Sequence, residues 1–372
     1  MKLSQRLTCI ILSLGVIGVI EAGAMGFEFK PYGYIKGELT YTSQGVLSSG
    51  KPGLTAPQEA DTLKGHAFGV SCQSTRFGTK GWITTDNGME IGGKVEADFY
   101  SGTGFDASSK PRMRLAYGWV ATHLAEIRVG QQWDLFSPNN PTMSTGATGL
   151  WYAGNLGVRR GQFQVNVFVP ENVTAPIVSV ALCEGSKETD GLGADNFSSF
   201  PMVQARASIE LQKKYQVGIS MVHANYDPDP AKANDEYTTL GYGVDYDLRF
   251  HKLFSLRGEV NTGKNLSNGN FSTIAGNGKH GDTRESFGFW ANAVSKPFTH
   301  FNISVGGGTD RNTSDKVASG AVKSNLIAYS ELIFPLMNGA SIETEVGRIQ
   351  TVYEKHATQT ATFTNLAMKV EF

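Results

Sequence analysis

The sequence predicts an all-β protein: a transmembrane antiparallel β-barrel, most simply of 16 strands, with short periplasmic turns and long extracellular loops. Apolar and polar residues alternate along most of the 372-residue chain, and short turns alternate with long polar connections. After residue 24 no apolar run is long enough for a membrane helix. A soluble β-sandwich is the alternative, but its strands average only about 5–6 residues, and many here read longer.

The first residues have the layout of a secretory signal peptide. Lys2 and Arg6 precede an apolar run at 7–20, and small residues at 22–24 form a cleavage site. The run is short for a membrane anchor, which needs ~20 residues. We therefore expect residues 1–24 to be a cleaved signal peptide and residues 25–372 to form a single barrel domain.

Charge and cysteine content exclude several classes of function. Without residues 1–24 the chain has 33 − 2 = 31 basic and 34 − 1 = 33 acidic residues, so nothing suggests nucleic-acid binding. Cys72 and Cys183 remain, too few for a disulfide scaffold, and whether they pair stays open. The seven histidines are scattered and no nucleophile–base motif is present, so we expect no enzyme activity, no metal and no cofactor.

Alternation with a period of two defines the strands. In "MEIGGKVEADFY", "QFQVNVFV" and "TNLAMKVEF" every second residue is apolar and most of those between are polar. The pattern predicts short turns near 86–88, 122–125, 160–161, 213–214, 250–252, 296–299 and 335–339. It predicts long connections at 43–65, 101–110, 134–149, 170–201, 225–237, 262–283, 310–322 and 353–358.

A barrel of sixteen strands is too wide for its side chains to fill, so the polar faces should line an aqueous channel. Aromatic residues are expected in two girdles at the membrane interfaces, with ordinary packing inside the protein as the alternative for some of them. The candidates for the girdles are Trp82, Tyr117, Trp119, Trp133, Tyr246 and Trp290.

Arginines on the polar faces are the candidate functional residues. In "KPRMRLAYGWV", residues 110–120, strict alternation sends Arg112 and Arg114 to one face. That face would line water, whereas the other would contact lipid or a neighbouring subunit. The apolar face would then carry Met113, Leu115, Tyr117 and Trp119.

The same alternation directs Arg128, Arg206 and Arg257 to the lumen, and we expect Arg159, beside Arg160 at a strand end, to join them. Clustered guanidinium groups suit carboxylates and other oxyanions. The alternative is that each arginine only pairs with a carboxylate of the lumen wall. Arg76 fits less well, because alternation places it on the apolar face unless a β-bulge intervenes.

The stretch "GQQWDLFSPNNPTMSTGATGLW" connects the fifth and sixth predicted strands. By analogy with other wide barrels, we expect this connection to fold inward and narrow the pore. Asp134, near its start, would then lie opposite the arginines and create a transverse electric field.

Several segments resemble the DcaP-like outer-membrane porins. "STRFGTKGW" is similar to the family's S-R-F-G-x-K segment, "GGKVEADFYSG" to its K-x-E-x-D-F strand and "RMRLAYGWV" to its R-L-R-x-A-Y strand. "VGQQWDLF" resembles the G-Q-x-W-x-x-F segment, and "GNLGVRRGQFQV" the double-arginine turn after it. The similarity extends over about residues 30–170.

The resemblance implies a sixteen-stranded barrel, a homotrimer and passive uptake of small anionic solutes, dicarboxylates among them. It also favours a bulge at Arg76. We therefore expect a Gram-negative outer-membrane protein that contacts lipid and lipopolysaccharide and engages the barrel-assembly machinery through Phe372. An adhesin or structural barrel with a blocked lumen and partner-binding loops is the alternative. By motif, the pore arginines would be Arg76, Arg112, Arg114, Arg128, Arg159 and Arg160.

Overall fold

The fold is a closed antiparallel β-barrel of sixteen strands, as predicted, in which each strand pairs with its neighbours in sequence and the last pairs with the first. This computed structural model describes residues 8–13, 16–21, 26–47, 53–55, 65–101, 110–144, 149–168, 176–185, 201–226, 237–251, 253–278, 282–296, 300–337 and 339–372.

The first eight barrel strands are β1 (Phe27–Thr42), β2 (Ala67–Ser71 and Arg76–Thr84), β3 (Glu90–Ser101), β4 (Lys110–Ala121), β5 (Ala125–Trp133), β6 (Arg159–Val167), β7 (Val178–Cys183) and β8 (Met202–Leu211). The other eight are β9 (Tyr215–Tyr226), β10 (Tyr237–His251), β11 (Phe254–Lys264), β12 (Glu285–Ser295), β13 (Asn302–Asn312), β14 (Val322–Met337), β15 (Ala340–Tyr353) and β16 (Gln359–Glu371).

Among the described residues, two small two-stranded sheets and a 3-10 helix lie outside the barrel sheet. Strands Thr8–Ser13 and Val16–Glu21, within the predicted signal peptide, pair with each other. Val46–Leu47 pairs with Leu54–Thr55, and Leu266–Gly269 forms a 3-10 helix. Throughout the described ranges, no helix is long and apolar enough to cross a membrane.

The barrel is apolar outside and polar inside, as the alternation of each strand requires. In β16, Asn365 is buried on the inner face, whereas Leu366 and Met368 point outward and are 47% and 56% exposed. Phe372 continues β16 through two backbone hydrogen bonds with Gly33. Rows of exposed apolar side chains are the surface that a lipid bilayer covers.

Two of the connections predicted from the sequence are wrong. One error adds a strand and the other removes one, so the total of sixteen is unaffected. No turn occurs at 160–161, because β6 runs unbroken from Arg159 to Val167, and residues 134–158 form one connection. The predicted connection 170–201 instead contains β7, Val178–Cys183. Residues 149–158 carry apolar side chains like a strand, but these pack inside the barrel and not in its wall. At six residues, β7 is too short to stand out by alternation.

A break in β2 brings Arg76 to the lumen. The strand stops at Ser71 and resumes at Arg76, and β1 pairs with both parts. The bulge that the resemblance implied is therefore present, and the outward position indicated by alternation alone is wrong. Arg76 Nε lies 3.6 Å from Glu96 Oε1 inside the barrel.

A second irregularity inverts the faces of β4. Leu115 is paired with Glu96 and Met113 with Ala97, so Arg114 is the extra residue of a β-bulge. Arg112 and Arg114 face the lumen as predicted, and Met113 faces outward. Beyond the bulge, however, the prediction is wrong, because Leu115, Tyr117 and Trp119 also point inward.

Most of the aromatic residues assigned to the girdles lie inside the barrel. The Trp119 indole N–H donates to Glu90 at 2.7 Å, and that of Trp290 donates to Glu259 at 3.0 Å. Trp133 and Tyr117 line a cavity of the lumen. Acidic side chains of the lumen thus satisfy the indole donors that interfacial water would satisfy in a girdle. Tyr246 does face outward, against Gly258.

Candidate functional site

The connection between β5 and β6, residues 134–158, is called the inner loop, and its described residues, 134–144 and 149–158, fold into the barrel. Its first turn is held by the far wall: Gln204 accepts from the backbone N–H groups of Leu135 and Phe136 at 2.9 and 3.0 Å. Glu259 accepts from the Asn139 N–H at 2.6 Å and from the Ser137 hydroxyl. These bonds satisfy loop donors that would otherwise be buried without partners.

A latch at Ser144 holds the inner loop to the opposite part of the wall. Lys36 Nζ donates to the carbonyl oxygen of Ser144 at 2.6 Å and to its Oγ at 3.4 Å. The Ser144 N–H donates to Glu345 at 2.7 Å and its hydroxyl to Glu343 at 3.1 Å, while Asn365 donates to Ser144 Oγ at 2.9 Å. Five hydrogen bonds therefore converge on one fully buried serine.

Glycines allow the inner loop to approach the wall closely. Gly154 has φ 97°, and a Cβ there would lie 2.3 Å from the carbonyl oxygen of Phe289. A Cβ at Gly308 would lie 2.1 Å from the carbonyl oxygen of Ala153. Apolar side chains of the loop then pack against the inner wall in two clusters, one around Phe136 and the other around Leu150.

Two cavities of the lumen lie beside the described part of the inner loop. The first, of about 420 Å³, lies between β1–β4, the loop and the β14–β16 side of the barrel. The second, of about 560 Å³, lies between β2–β6 and the loop. Both cavities are lined by Arg76 and Arg114 from the wall and by Pro141 and Trp151 from the loop. These four residues mark the neck where the cavities meet.

Five arginines form what we call the arginine wall: Arg76, Arg112, Arg114 and Arg128, which line one or both cavities, and Arg159, which lies over the ring of the cavity residue Trp133. Two of them make two hydrogen bonds each to carboxylates. Arg112 makes two hydrogen bonds to Asp98, at 2.9 and 2.7 Å. Arg114 donates to Glu96 at 2.7 Å and to Asp98 at 2.8 Å.

The other three arginines of the wall are less compensated. Arg128 pairs with Glu126 at 2.9 Å and stacks on Tyr117, with Cζ 5.4 Å from the ring centroid. Arg159 stacks on Trp133 at 4.7 Å, and Arg114 approaches the same ring at 5.8 Å. Arg159 Nη1 is buried with no hydrogen-bond partner among the described residues. This side of the lumen therefore carries uncompensated positive charge.

Two lysines that sequence reasoning did not single out extend the arginine wall. Lys94 lines the second cavity and lies 5.0 Å from the Tyr32 ring, while Lys80 lies 4.8 Å from the Trp119 ring. With the five arginines they make seven cations, against the carboxylates of Glu90, Glu96, Asp98 and Glu126. The difference, 7 − 4, leaves three positive charges. Lys94 could have been found because it alternates with Glu96 and Asp98 in β3.

Three predicted site residues lie in closed ion pairs. Arg160 makes two hydrogen bonds to Asp134, at 2.7 and 2.9 Å, and Asp134 also accepts from Gln204. Arg206 makes two to Asp245, at 2.9 and 2.6 Å. The prediction that Asp134 supplies a negative charge opposite the arginines is therefore wrong, because Arg160 neutralises it beside the wall. Arg160 and Arg206 therefore match the alternative given above, in which an arginine only pairs with a carboxylate of the lumen wall.

Acidic residues of β14–β16 take the role that was assigned to Asp134. Glu331 and Glu343 line the first cavity from β14 and β15, whereas Arg76 and Arg112 line it from β2 and β4. Arginines thus line one part of the cavity, and the carboxylates of β14 and β15 line another together with Lys36 and Lys369. This uneven distribution of charge creates a transverse field. Sequence reasoning missed these residues, although Glu343 and Glu345 occupy alternate positions typical of an inward face. They come near the arginines only because the last strand pairs with the first and closes the barrel, which alternation along a strand does not reveal.

Comparison with solved structures identifies the same architecture. The chain superimposes on the outer-membrane channel DcaP of Acinetobacter baumannii with a TM-score of 0.76 and 16% identity, over 95% of this chain and 99% of that one. For the anion-selective porin from Comamonas acidovorans the TM-score is 0.61 and the identity 10%, over 93% and 100% of the two chains.

Salmonella typhi OmpF, solved in complex with daunomycin, gives a TM-score of 0.64 at 11% identity, over 93% of this chain and 98% of that one. No family model matches the sequence, and no curated protein matches it significantly. At these identities the likeness concerns the fold. The chain has the sixteen-stranded barrel fold of outer-membrane porins.

Proposed function

We propose that this protein is a porin of the Gram-negative outer membrane, a water-filled channel for passive diffusion of small hydrophilic solutes. We propose further that it favours anions, dicarboxylates among them. The observation that supports this preference is the arginine wall, which together with Lys80 and Lys94 places seven cations near four carboxylates on one side of the lumen. The nature of the two similar proteins named above, an outer-membrane channel and an anion-selective porin, is consistent with the proposal.

The geometry of the arginine wall suits carboxylates in transit. Guanidinium groups are planar, weakly hydrated and always charged, so they exchange bonds with a passing carboxylate at low desolvation cost. Neighbouring arginines along one wall offer two carboxylates of a single solute successive contacts. Stacking on Trp133 and Tyr117 keeps Arg159 and Arg128 in place while leaving donor groups for the solute.

In the membrane, the connections after β2, β4 and the other even strands would face the periplasm, and those after odd strands the exterior. The outer apolar surface would contact lipid, lipopolysaccharide and two further copies of the chain in a homotrimer. Phe372, at the end of β16 and 60% exposed, would be available to the barrel-assembly machinery. Each of these assignments is part of the proposal.

Planar-bilayer recording of the purified protein tests the proposal. We expect stepwise conductance in KCl and, in a salt gradient, a reversal potential that indicates preference for chloride. A stably folded barrel that does not conduct would overturn the porin proposal and favour the adhesin alternative. That alternative has a blocked lumen, and apolar clusters do fill part of the lumen here. Conductance without anion preference would overturn only the preference.

A further inference from the structure

The first cavity carries opposite charges on facing sides. Arg76, Arg112 and Arg114 line it from β2 and β4, and Glu331 and Glu343 line it from β14 and β15. The volume of about 420 Å³ falls within the range of roughly 300–1,000 Å³ that is typical of small-molecule sites. A solute in this cavity would meet both signs of charge at once.

Carboxylates outnumber cations on the acidic side of the cavity. Glu38, Glu331, Glu343 and Glu345 are each at most 6% exposed, and the ammonium group of Lys36 lies among them, 2.7 Å from Glu343 and 3.4 Å from Glu38. Lys36 thus forms ion pairs with two of these four carboxylates, and Lys369 pairs with Glu371. A second ammonium group at this position would relieve their mutual repulsion.

Glu331 is the carboxylate of this group that has the fewest partners. Its side chain is 1% exposed, and Oε2 is buried with no hydrogen-bond partner in the described part of the chain. Buried carboxylate oxygens normally accept hydrogen bonds, because leaving one unpaired costs its full desolvation energy. Glu331 lines the first cavity, so an ammonium group entering there is a donor of the required charge.

We propose that the first cavity binds small zwitterions, solutes that carry one ammonium and one carboxylate group. The carboxylate contacts Arg76 and Arg112, and the ammonium group is received by Glu331. A dicarboxylate would bring its second negative charge towards Glu331 and Glu343, and a diamine would bring a positive charge towards the arginines. The inference rests on the proposed pore function, because the solute reaches this cavity through the channel.

Three probes of the same chain length test the inference: γ-aminobutyrate, succinate and 1,4-diaminobutane. Each is titrated against the KCl conductance of single channels, and the concentration that halves the conductance is measured. We expect γ-aminobutyrate to act at concentrations about tenfold lower than the other two, as one additional charge-assisted contact requires. Glu331→Gln should raise its half-blocking concentration about tenfold and leave that of succinate unchanged or lower.

The matched control is Glu285→Gln, which removes an acidic charge from β12 outside the cavity, where Glu285 pairs with Lys264 at 3.2 Å. It should leave all three half-blocking concentrations unchanged. Equal action of the three probes on the wild type would overturn the inference while the porin stands, as would unchanged γ-aminobutyrate block in Glu331→Gln. If the barrel does not conduct, the porin proposal fails independently of the zwitterion site. Calorimetric titration of the detergent-purified protein with the same three probes then tests whether the site binds γ-aminobutyrate more tightly than the other two.

Discussion

Arg159 offers the most direct test of how the arginine wall acts on ions. Its guanidinium group is held by the Trp133 ring and has a buried Nη1 without a hydrogen-bond partner among the described residues. The change Arg159→Gln therefore removes a positive charge without leaving a carboxylate unpaired. By contrast, Arg114→Ala would leave two buried carboxylates without this partner. The resulting loss of stability could not be separated from a change in ion selectivity.

The size of the effect follows from Coulomb's law. A unit charge about 5 Å from a passing ion, in water and screened by about 0.1 M salt, contributes roughly 0.5 kcal/mol. The contribution is favourable for an anion and unfavourable for a cation, so its removal changes their relative free energies by about 1 kcal/mol. We expect the anion-to-cation permeability ratio to fall about fivefold in Arg159→Gln.

The assay is the reversal potential in a KCl gradient, measured for wild type, Arg159→Gln and Arg159→Lys. The lysine variant keeps the charge and should keep the wild-type ratio. Lys264→Gln is the control of equal charge loss, because Lys264 lies at the end of β11 in an exposed ion pair with Glu285. A permeability ratio for Arg159→Gln within about twofold of wild type would refute the electrostatic role of the arginine wall.

Three further outcomes are expected. Lys36→Met removes the lysine that holds Ser144, so the single-channel current should become noisier and larger. Lys323→Met is the control, because it breaks only an exposed ion pair with Glu354 and should leave the current unchanged. An unchanged current in Lys36→Met would contradict the role of the latch. Gly154→Ala places a methyl group against the β12 backbone at positive φ, so heat-shift gels should show unfolding at a lower temperature, and an unchanged transition would refute this close packing. Cys72 and Cys183 are free, so reduction should not change the mobility of the heated protein, and a shift would reveal a disulfide.

Local alternation was sufficient for the barrel and for much of the arginine wall. A strand that faces lipid on one side and water on the other must alternate, because each side chain is committed to one of two solvents. This reasoning placed Arg112, Arg114 and Arg128 in the lumen correctly. It also found most strands, since their turns and polar connections interrupt the alternation, and the inward course of the loop after β5 followed by analogy.

Only the tertiary structure decided the rest. A single extra residue at Arg114 reverses every later position of β4, so Tyr117 and Trp119 line the lumen although alternation sends them to lipid. The partner of Asp134 depends on how the inner loop returns to β6, and the acidic side of the first cavity depends on barrel closure. Alternation along a strand is a local property, whereas ion pairing and facing charges are set by register and contacts between residues distant in sequence.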